Sequence, residues 1–228
     1  MIPIQRLPYP AGALEPYLST RTLLAHYQHY VGYVRRVNDL SRGRFRTSSE
    51  ALQAAVRGAF VDEGARAHPA LRLEPELPPG VAHSALCSPG TLYEQAAQAL
   101  AHEEYFAGMS PRPGGPTGAL ADALAYGYGD LATARRMWVD QATGQFGSGW
   151  VWLAVPPPRA GGISTGVPAM TALPNAHRPR GRILTLMDVW EHAYYLDYEG
   201  DRRQYAEVWW DHLCDWQRAD ARFRNAVR

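Results

Sequence analysis

Two ionisable side chains, Asp188 and His192, stand four residues apart in the segment Asp-Val-Trp-Glu-His, directly after the apolar run 183–187. Residues four apart lie on one side of a helical turn, so this carboxylate and this imidazole are close enough to bind one metal ion. A surface ion pair or a capped helix start has the same spacing, and the pair alone does not decide between these readings. The aromatic neighbours at positions 190, 194 and 195 favour a buried site.

Composition narrows the classes of protein to consider. The chain of 228 residues can bury one large core or two small ones, and its net charge of +1 comes without blocks of like charge. Bulk electrostatics therefore indicate neither nucleic acid nor an anionic membrane as a partner. Cys87 and Cys214 are the only cysteines, and we expect both to be free thiols in a reducing compartment. The sequence shows neither a signal-peptide pattern nor a bilayer-length apolar run, so we expect a soluble cytoplasmic protein.

The elements that must position Asp188 and His192 follow from periodicity and from turn residues. Pro and Gly punctuate residues 1–18, which predicts an extended arm, and Ser19 or Thr20 can cap the helix that follows. Prolines between 61 and 90 predict a loop, and the Pro/Gly-rich run 110–118 predicts a linker. Helices followed by mixed strands and helices indicate an α+β protein. The predicted helices are 21–40, 48–60, 91–106, 117–127, 129–142 and 202–225, and the predicted strands are 150–155 and 182–187, with a Pro/Gly-rich excursion at 156–180.

Further candidate ligands lie on the predicted first and third helices. His26 and His29 belong to the first helix, and His102 belongs to the third, with Gln98 one turn before it on the same face. Each histidine taken alone is better explained as an ordinary surface or half-buried helix residue. Their significance depends on the segments around them.

Four segments, in the same order along the chain, resemble the iron/manganese superoxide dismutase family. The spacing from Leu7-Pro-Tyr9 to His26 matches that family, and so do three longer motifs. These motifs are Ala96-Ala-Gln-Ala-Leu-Ala-His102, Phe146-Gly-Ser-Gly-Trp-Val-Trp-Leu153 and Asp188-Val-Trp-Glu-His-Ala-Tyr-Tyr-Leu196. The resemblance spans nearly the whole chain, with altered sequence at 41–90 and 156–180. It implies a helical N-terminal hairpin domain at 1–109, and a C-terminal α+β domain at 110–228 in which helices flank a small antiparallel sheet.

The resemblance also implies a mononuclear metal site whose ligands are His26, His102, Asp188 and His192. Three imidazoles and one carboxylate suit iron or manganese, and zinc remains possible by ligand type alone. Manganese-type members often carry a solvent-holding Gln after the Gly-Ser-Gly-Trp strand, where this chain has none. Gln98 then takes that role, as in the iron-type arrangement. We therefore expect one ion per subunit, with iron preferred over manganese.

The first helix departs from the family and leaves two readings of its register. Family members place a His four residues after the first ligand and a Tyr eight residues after it, positions that an ungapped reading gives to Tyr30 and Val34. Deleting one residue restores His29 and Tyr33 instead. In a regular helix an offset of seven lies about 20° from His26, whereas an offset of eight lies about 80° away. We favour the deletion, which makes Tyr33 the gateway residue; the ungapped reading predicts a more open site.

The function that this resemblance implies is dismutation of superoxide to O2 and H2O2. Tyr33 and Gln98 then manage access and protons beside the metal, with His29 behind them and Trp150 walling the pocket. Glu191 and Tyr195 are expected at the twofold interface of a homodimer. Rival readings are a metal-binding relative with weak activity, a non-enzymatic scaffold of the same fold and, more distantly, a zinc hydrolase.

Overall fold

The computed structural model describes residues 1–56, 91–112, 114–158 and 166–228. It divides into two compact units, one comprising Met1–Arg6 with Tyr27–Glu103 and the other Leu7–His26 with Glu104–Arg228. We call them the first and the second unit. The linear domain boundary expected at residue 110 stays a prediction.

Three helices contribute to the first unit. Helix α1 spans Thr20–Leu40, α2 spans Ser48–Val56 and α3 spans Leu92–Ala107, each close to its predicted bounds. Ser19 caps α1, because its Oγ accepts the backbone N–H of Thr22 at 3.1 Å. The predicted continuation of the second helix to residue 60, the predicted loop at 61–90 and Cys87 lie outside the described residues. Residues 11–17 form turns, so the extended arm predicted for 1–18 is correct only for its first part.

Helices α4 (Gly118–Tyr128) and α5 (Leu131–Gly144) open the C-terminal part of the second unit. The break between them falls at Gly129, whose φ is +92°, and Asp130 caps α5 by accepting the N–H of Thr133 at 2.6 Å. The sequence prediction placed the start of α5 two residues too early because it did not use this cap. Both helices otherwise agree with the predicted pattern.

The second unit contains the small antiparallel sheet. Its strands are β1 (Gly149–Val155), β2 (Ala169–Pro174) and β3 (Arg182–Asp188), in the order β2-β1-β3. Every residue of the central strand β1 is buried, as its apolar sequence requires. Strand β2 was not predicted, since its sequence Ala-Met-Thr-Ala-Leu-Pro has little β propensity and only partial burial. It forms because β1 offers it a partner along six residue pairs.

The prediction of a single C-terminal helix at 202–225 is wrong. The chain instead forms a short helix α6 (Tyr195–Tyr198), helix α7 (Arg202–Val208), one wide π turn at Trp209–Leu213 and helix α8 (Trp216–Ala226). Cys214 leaves the helical conformation (φ −67°, ψ 131°) and forms a β-bridge with Met109. Asp215 then caps α8 by accepting the N–H of Arg218 at 2.9 Å. A tertiary contact therefore overrides the helical periodicity.

Helix length and hydropathy also bear on membrane association. Among the described segments, no helix combines the length and the apolar character that crossing a bilayer requires.

Candidate metal centre

Asp188 is positioned by the sheet. It is the last residue of β3, and its backbone pairs with Trp150 on the central strand. Its Oδ1 accepts the backbone N–H of Trp190 at 2.8 Å, which orients the carboxylate. Its Oδ2 lies 3.0 Å from Nε2 of His26 and 3.5 Å from Nε2 of His192. One carboxylate oxygen therefore faces both imidazoles.

Asp188 and His192 do not share a helical turn, so that expectation was wrong. The strand continues through Asp188 because β1 pairs with it, and the chain stays extended at Trp190 (φ −65°, ψ 139°) before a short 3-10 turn at Glu191–Ala193. This turn brings the imidazole of His192 back toward the end of β3, close to Asp188. The two side chains therefore meet by a route that the four-residue spacing alone did not indicate.

His26 lies on α1 and is completely buried. Its ring has the rings of Tyr105, Phe106 and His192 as neighbours, with centroids 5.0, 5.1 and 4.8 Å away. These close ring contacts limit the rotation of the imidazole and keep its Nε2 directed at Asp188. Sequence reasoning did not identify Tyr105 as one of the rings that contact His26. The available signal was its position three residues after His102, on the same face of α3.

His102 is buried on α3, and its tautomer follows from one contact. Its Nδ1 lies 2.8 Å from the backbone carbonyl oxygen of Gln98. A carbonyl oxygen only accepts hydrogen bonds, so Nδ1 must donate and carry the ring proton. The lone pair of the neutral ring is then on Nε2, the atom available to a metal ion. The backbone of the helix thus prepares His102 as a ligand.

The four predicted ligands lie together in the structure. Each of His26, His102, Asp188 and His192 offers one ligand atom, and these atoms all lie within 4.8 Å of one another. Metal–ligand bonds of about 2.0–2.2 Å place two ligand atoms about 3 Å apart at right angles and about 4.2 Å apart on opposite sides of an ion. The observed separations fit one ion after small side-chain adjustments. Nitrogen and carboxylate donors without thiolate fit iron or manganese.

The charge state of Asp188 also suits metal binding. Burial raises the pKa of this carboxyl group, but the hydrogen bonds and charges of His192 and His26 lower it by more. The net result is a pKa well below the ordinary value for aspartate. Asp188 is therefore an anion at neutral pH, which is the form that binds metal.

The residues named in the two readings of α1 differ in their burial and their contacts. The helix runs without a bulge from Thr20 to Leu40. Tyr33 is half-buried, and its ring centroid lies 5.1 Å from that of His102, whereas Val34 is completely buried as a packing residue. Tyr30 is also buried, and its hydroxyl forms hydrogen bonds with Gln5 and Glu103. His29 is exposed on α1, so its expected action beside the ligands stays a prediction.

The remaining predicted site residues fall into two groups. Buried ones include Gln98, at 4% exposure on α3, and Trp150, which is inaccessible on β1. Trp190 stacks on His192 with ring centroids 5.7 Å apart. Exposed ones are Glu191 and Tyr195, the expected interface residues.

Comparison with known families agrees with this geometry. Residues 116–222 match the family model described as iron/manganese superoxide dismutases, C-terminal domain. Residues 3–69 match the model described as iron/manganese superoxide dismutases, alpha-hairpin domain. One match lies in the N-terminal part of the chain and the other in the C-terminal part.

Curated relatives match along almost the full length. The chain is 34% identical over 216 residues to "Superoxide dismutase [Fe]" of Salmonella typhimurium, a match covering 92% of each chain. The protein of the same name from Escherichia coli K12 is 32% identical, with the same coverage. That of Synechococcus elongatus is 30% identical over 226 residues, which is 97% of this chain and 96% of the relative. Matches of this extent, together with the His/His/Asp/His cluster, show that the chain belongs to the iron/manganese superoxide dismutase family.

Proposed function

We propose that this protein is a superoxide dismutase that converts two superoxide anions and two protons to O2 and H2O2. The observation that carries the proposal is the meeting of the ligand atoms of His26, His102, Asp188 and His192 within 4.8 Å, in a chain of this family. The three relatives named above are iron superoxide dismutases by name. Iron is therefore the ion we assign to the site, with manganese as the alternative.

The ligands divide the work of holding the ion. Iron held by these residues would supply one-electron chemistry, because it is stable as both Fe(III) and Fe(II). Asp188 contributes the negative charge that stabilises the oxidised ion, and the three imidazoles contribute neutral donors. Trp190, stacked on His192, holds that ring in place. Trp150 is completely buried on β1, and we assign it to excluding water from the pocket.

Protons are handled by residues around the ligands. We assign Tyr33, beside His102 and half-exposed, to gating access and passing protons inward. Gln98 is buried one turn before His102, and its side-chain amide is assigned to hydrogen bonding near the ion. Groups behind the ligands tune metal affinity and redox behaviour. Gln98 on α3, with no Gln from Leu153 to Arg180, supports the iron assignment.

The interface and the compartment are further parts of the proposal. Glu191 is exposed, and Tyr195 keeps 51% of its surface accessible, which leaves both available to a second copy of the chain in a homodimer. Cys214 is a buried free thiol, which suits a reducing compartment such as the cytoplasm.

Two measurements on the purified protein test the function. The first is metal content per chain, and the second is inhibition of superoxide-driven cytochrome c reduction. We expect about one ion per chain and inhibition that scales with metal content. Metal-replete protein without inhibition contradicts the enzymatic proposal and favours a metal-binding relative or a scaffold.

Reconstitution tests the choice of metal. Apo-protein is loaded separately with Fe and with Mn, and activity is expressed per bound ion. We expect the iron form to be the more active one. Higher activity of the manganese form contradicts the argument from Gln98, and equal activities indicate a metal-tolerant enzyme.

A further inference from the structure

Tyr30 is a buried residue of α1, and its hydroxyl lies at the centre of a hydrogen-bond network. It is 1% exposed on α1. Its hydroxyl accepts the backbone N–H of Gln5 at 2.9 Å and donates to Oε1 of Glu103 at 3.3 Å. The same Oε1 accepts a hydrogen bond from Oγ of Ser48 at 2.7 Å. All these residues belong to the first unit. The Tyr30 hydroxyl joins α1 to the N-terminal segment and to α3, and Glu103 extends the network to Ser48 on α2.

This network lies directly beside the contact between Tyr33 and His102. On α1, Tyr30 and Tyr33 are three residues apart, which is about 60° around the axis and about 4.5 Å along it. On α3, Glu103 follows His102 immediately. The hydrogen bond from Tyr30 to Glu103 and the ring contact of Tyr33 with His102 therefore connect the same two helices side by side.

The two contacts differ in how well they fix a helix. Ring packing at a centroid distance of 5.1 Å tolerates sliding, whereas a hydrogen bond depends on direction. The Tyr33 hydroxyl stands about 9 Å from the axis of α1, so a rotation of only about 10° moves it by about 1.5 Å. A misplacement of about 1 Å can cost a large factor in rate. The rotational setting of α1 therefore matters for what Tyr33 does.

We infer that Tyr30 is a positioning residue that sets the rotation of α1 against α3 and so places Tyr33 beside His102. This inference rests on the proposed function of Tyr33. It extends to Glu103 and Ser48, because Ser48 holds the carboxylate that receives the Tyr30 hydroxyl.

The test is a double-mutant cycle in the iron-loaded enzyme. Tyr30→Phe removes the hydroxyl and keeps the ring, and it is made both in the natural sequence and in a Tyr33→Phe background. We expect a loss in turnover of about two- to tenfold in the natural sequence, the factor equivalent to the net contribution of one hydrogen bond. In the Tyr33→Phe background we expect almost no further loss, because the group being positioned is already missing. Iron content should stay at the natural level in all variants.

A direct readout that does not depend on activity is the crystal structure of iron-loaded Tyr30→Phe. We expect the Tyr33 ring to move away from its centroid distance of 5.1 Å to His102 or to occupy two positions. Tyr27→Phe is the matched control, because it also removes one tyrosine hydroxyl from α1, one that donates to the carbonyl of Gln5 at 2.6 Å. That variant should keep both turnover and ring position. Ser48→Ala is the second test variant and should reproduce the Tyr30→Phe pattern without altering α1.

Two results overturn the inference. An equal loss from Tyr30→Phe in both backgrounds means that Tyr30 acts on the fold and not through Tyr33. An unmoved Tyr33 ring in the Tyr30→Phe crystal structure means that the network does not position it. If the protein with its natural sequence has no dismutase activity, the proposed function is contradicted. The position of the Tyr33 ring in the Tyr30→Phe crystal structure then still tests the positioning role.

Discussion

Replacing Tyr33 with Phe removes one hydroxyl and leaves the ring that lies 5.1 Å from His102. The side chain is only half-buried, so the change should leave the fold and the metal content intact. We expect the free energy of unfolding to change by less than about 1 kcal/mol, as for substitutions that create no cavity. For a chain of this size, that corresponds to a shift in Tm of no more than about 2–4 °C.

The expected loss in turnover follows from what the hydroxyl does. Positioned proton donors contribute roughly 10²–10⁴-fold where proton transfer limits the rate. Because Tyr33 is partly accessible, water can take over part of its role, and we expect a loss of about tenfold instead of the full factor. Turnover is measured by stopped-flow decay of superoxide, normalised to bound iron. Parallel inhibition of cytochrome c reduction checks the result at steady state.

Tyr126→Phe is the matched control, because Tyr126 is 84% exposed on α4 and has no predicted part in the site. Its turnover should equal that of the natural protein. Full turnover in Tyr33→Phe, together with a large loss in Tyr30→Phe, would refute the deletion reading of α1. It would assign the gateway to the ungapped register instead.

Three other changes test the ligand set, the sheet and an ion pair. Asp188→Ala removes the only anionic ligand, so metal and activity should both be lost; full activity with bound metal contradicts the site. Gly149→Ala places a Cβ 2.3 Å from the carbonyl oxygen of Leu173 on β2, and urea unfolding should show a loss of about 1–3 kcal/mol. Burial raises the pKa of Glu104, but the hydrogen bonds and charge of Arg222, with the charges of Arg178 and Arg218, together lower it by more, so its net pKa lies below the ordinary 4.5. Its ion pair therefore stabilises the protein fully above that value and is lost as pH falls through the lower folded pKa. Glu104→Gln keeps one acceptor oxygen but replaces the other with an NH2 group that cannot accept from Arg222, so urea unfolding at pH 7 should show a loss of about 1–2 kcal/mol, and this loss should shrink as pH falls toward the folded pKa.

Local sequence was sufficient to predict the elements whose stability is local. Helix α1 follows from its Ser19 cap and its long helical pattern, and β1 follows from an unbroken apolar run. The identity of the four ligands was also predictable, because each lies in a motif that can be recognised without knowing its partners. Helix α1 is regular, and the ring of Tyr33 lies 5.1 Å from that of His102, while the gateway role of Tyr33 stays a prediction.

The sequence by itself determined which side chains are present and which segments form helices or strands through short-range preferences. Only the tertiary structure decided the features that depend on distant partners. Strand β2 exists because β1 pairs with it, and the C-terminal helix breaks because Cys214 bridges to Met109. Asp188 and His26 are 162 residues apart, and no local preference could place their side chains 3.0 Å from each other. Periodicity describes neighbours along the chain, whereas the metal site is made by the packing of segments whose contacts the sequence does not record.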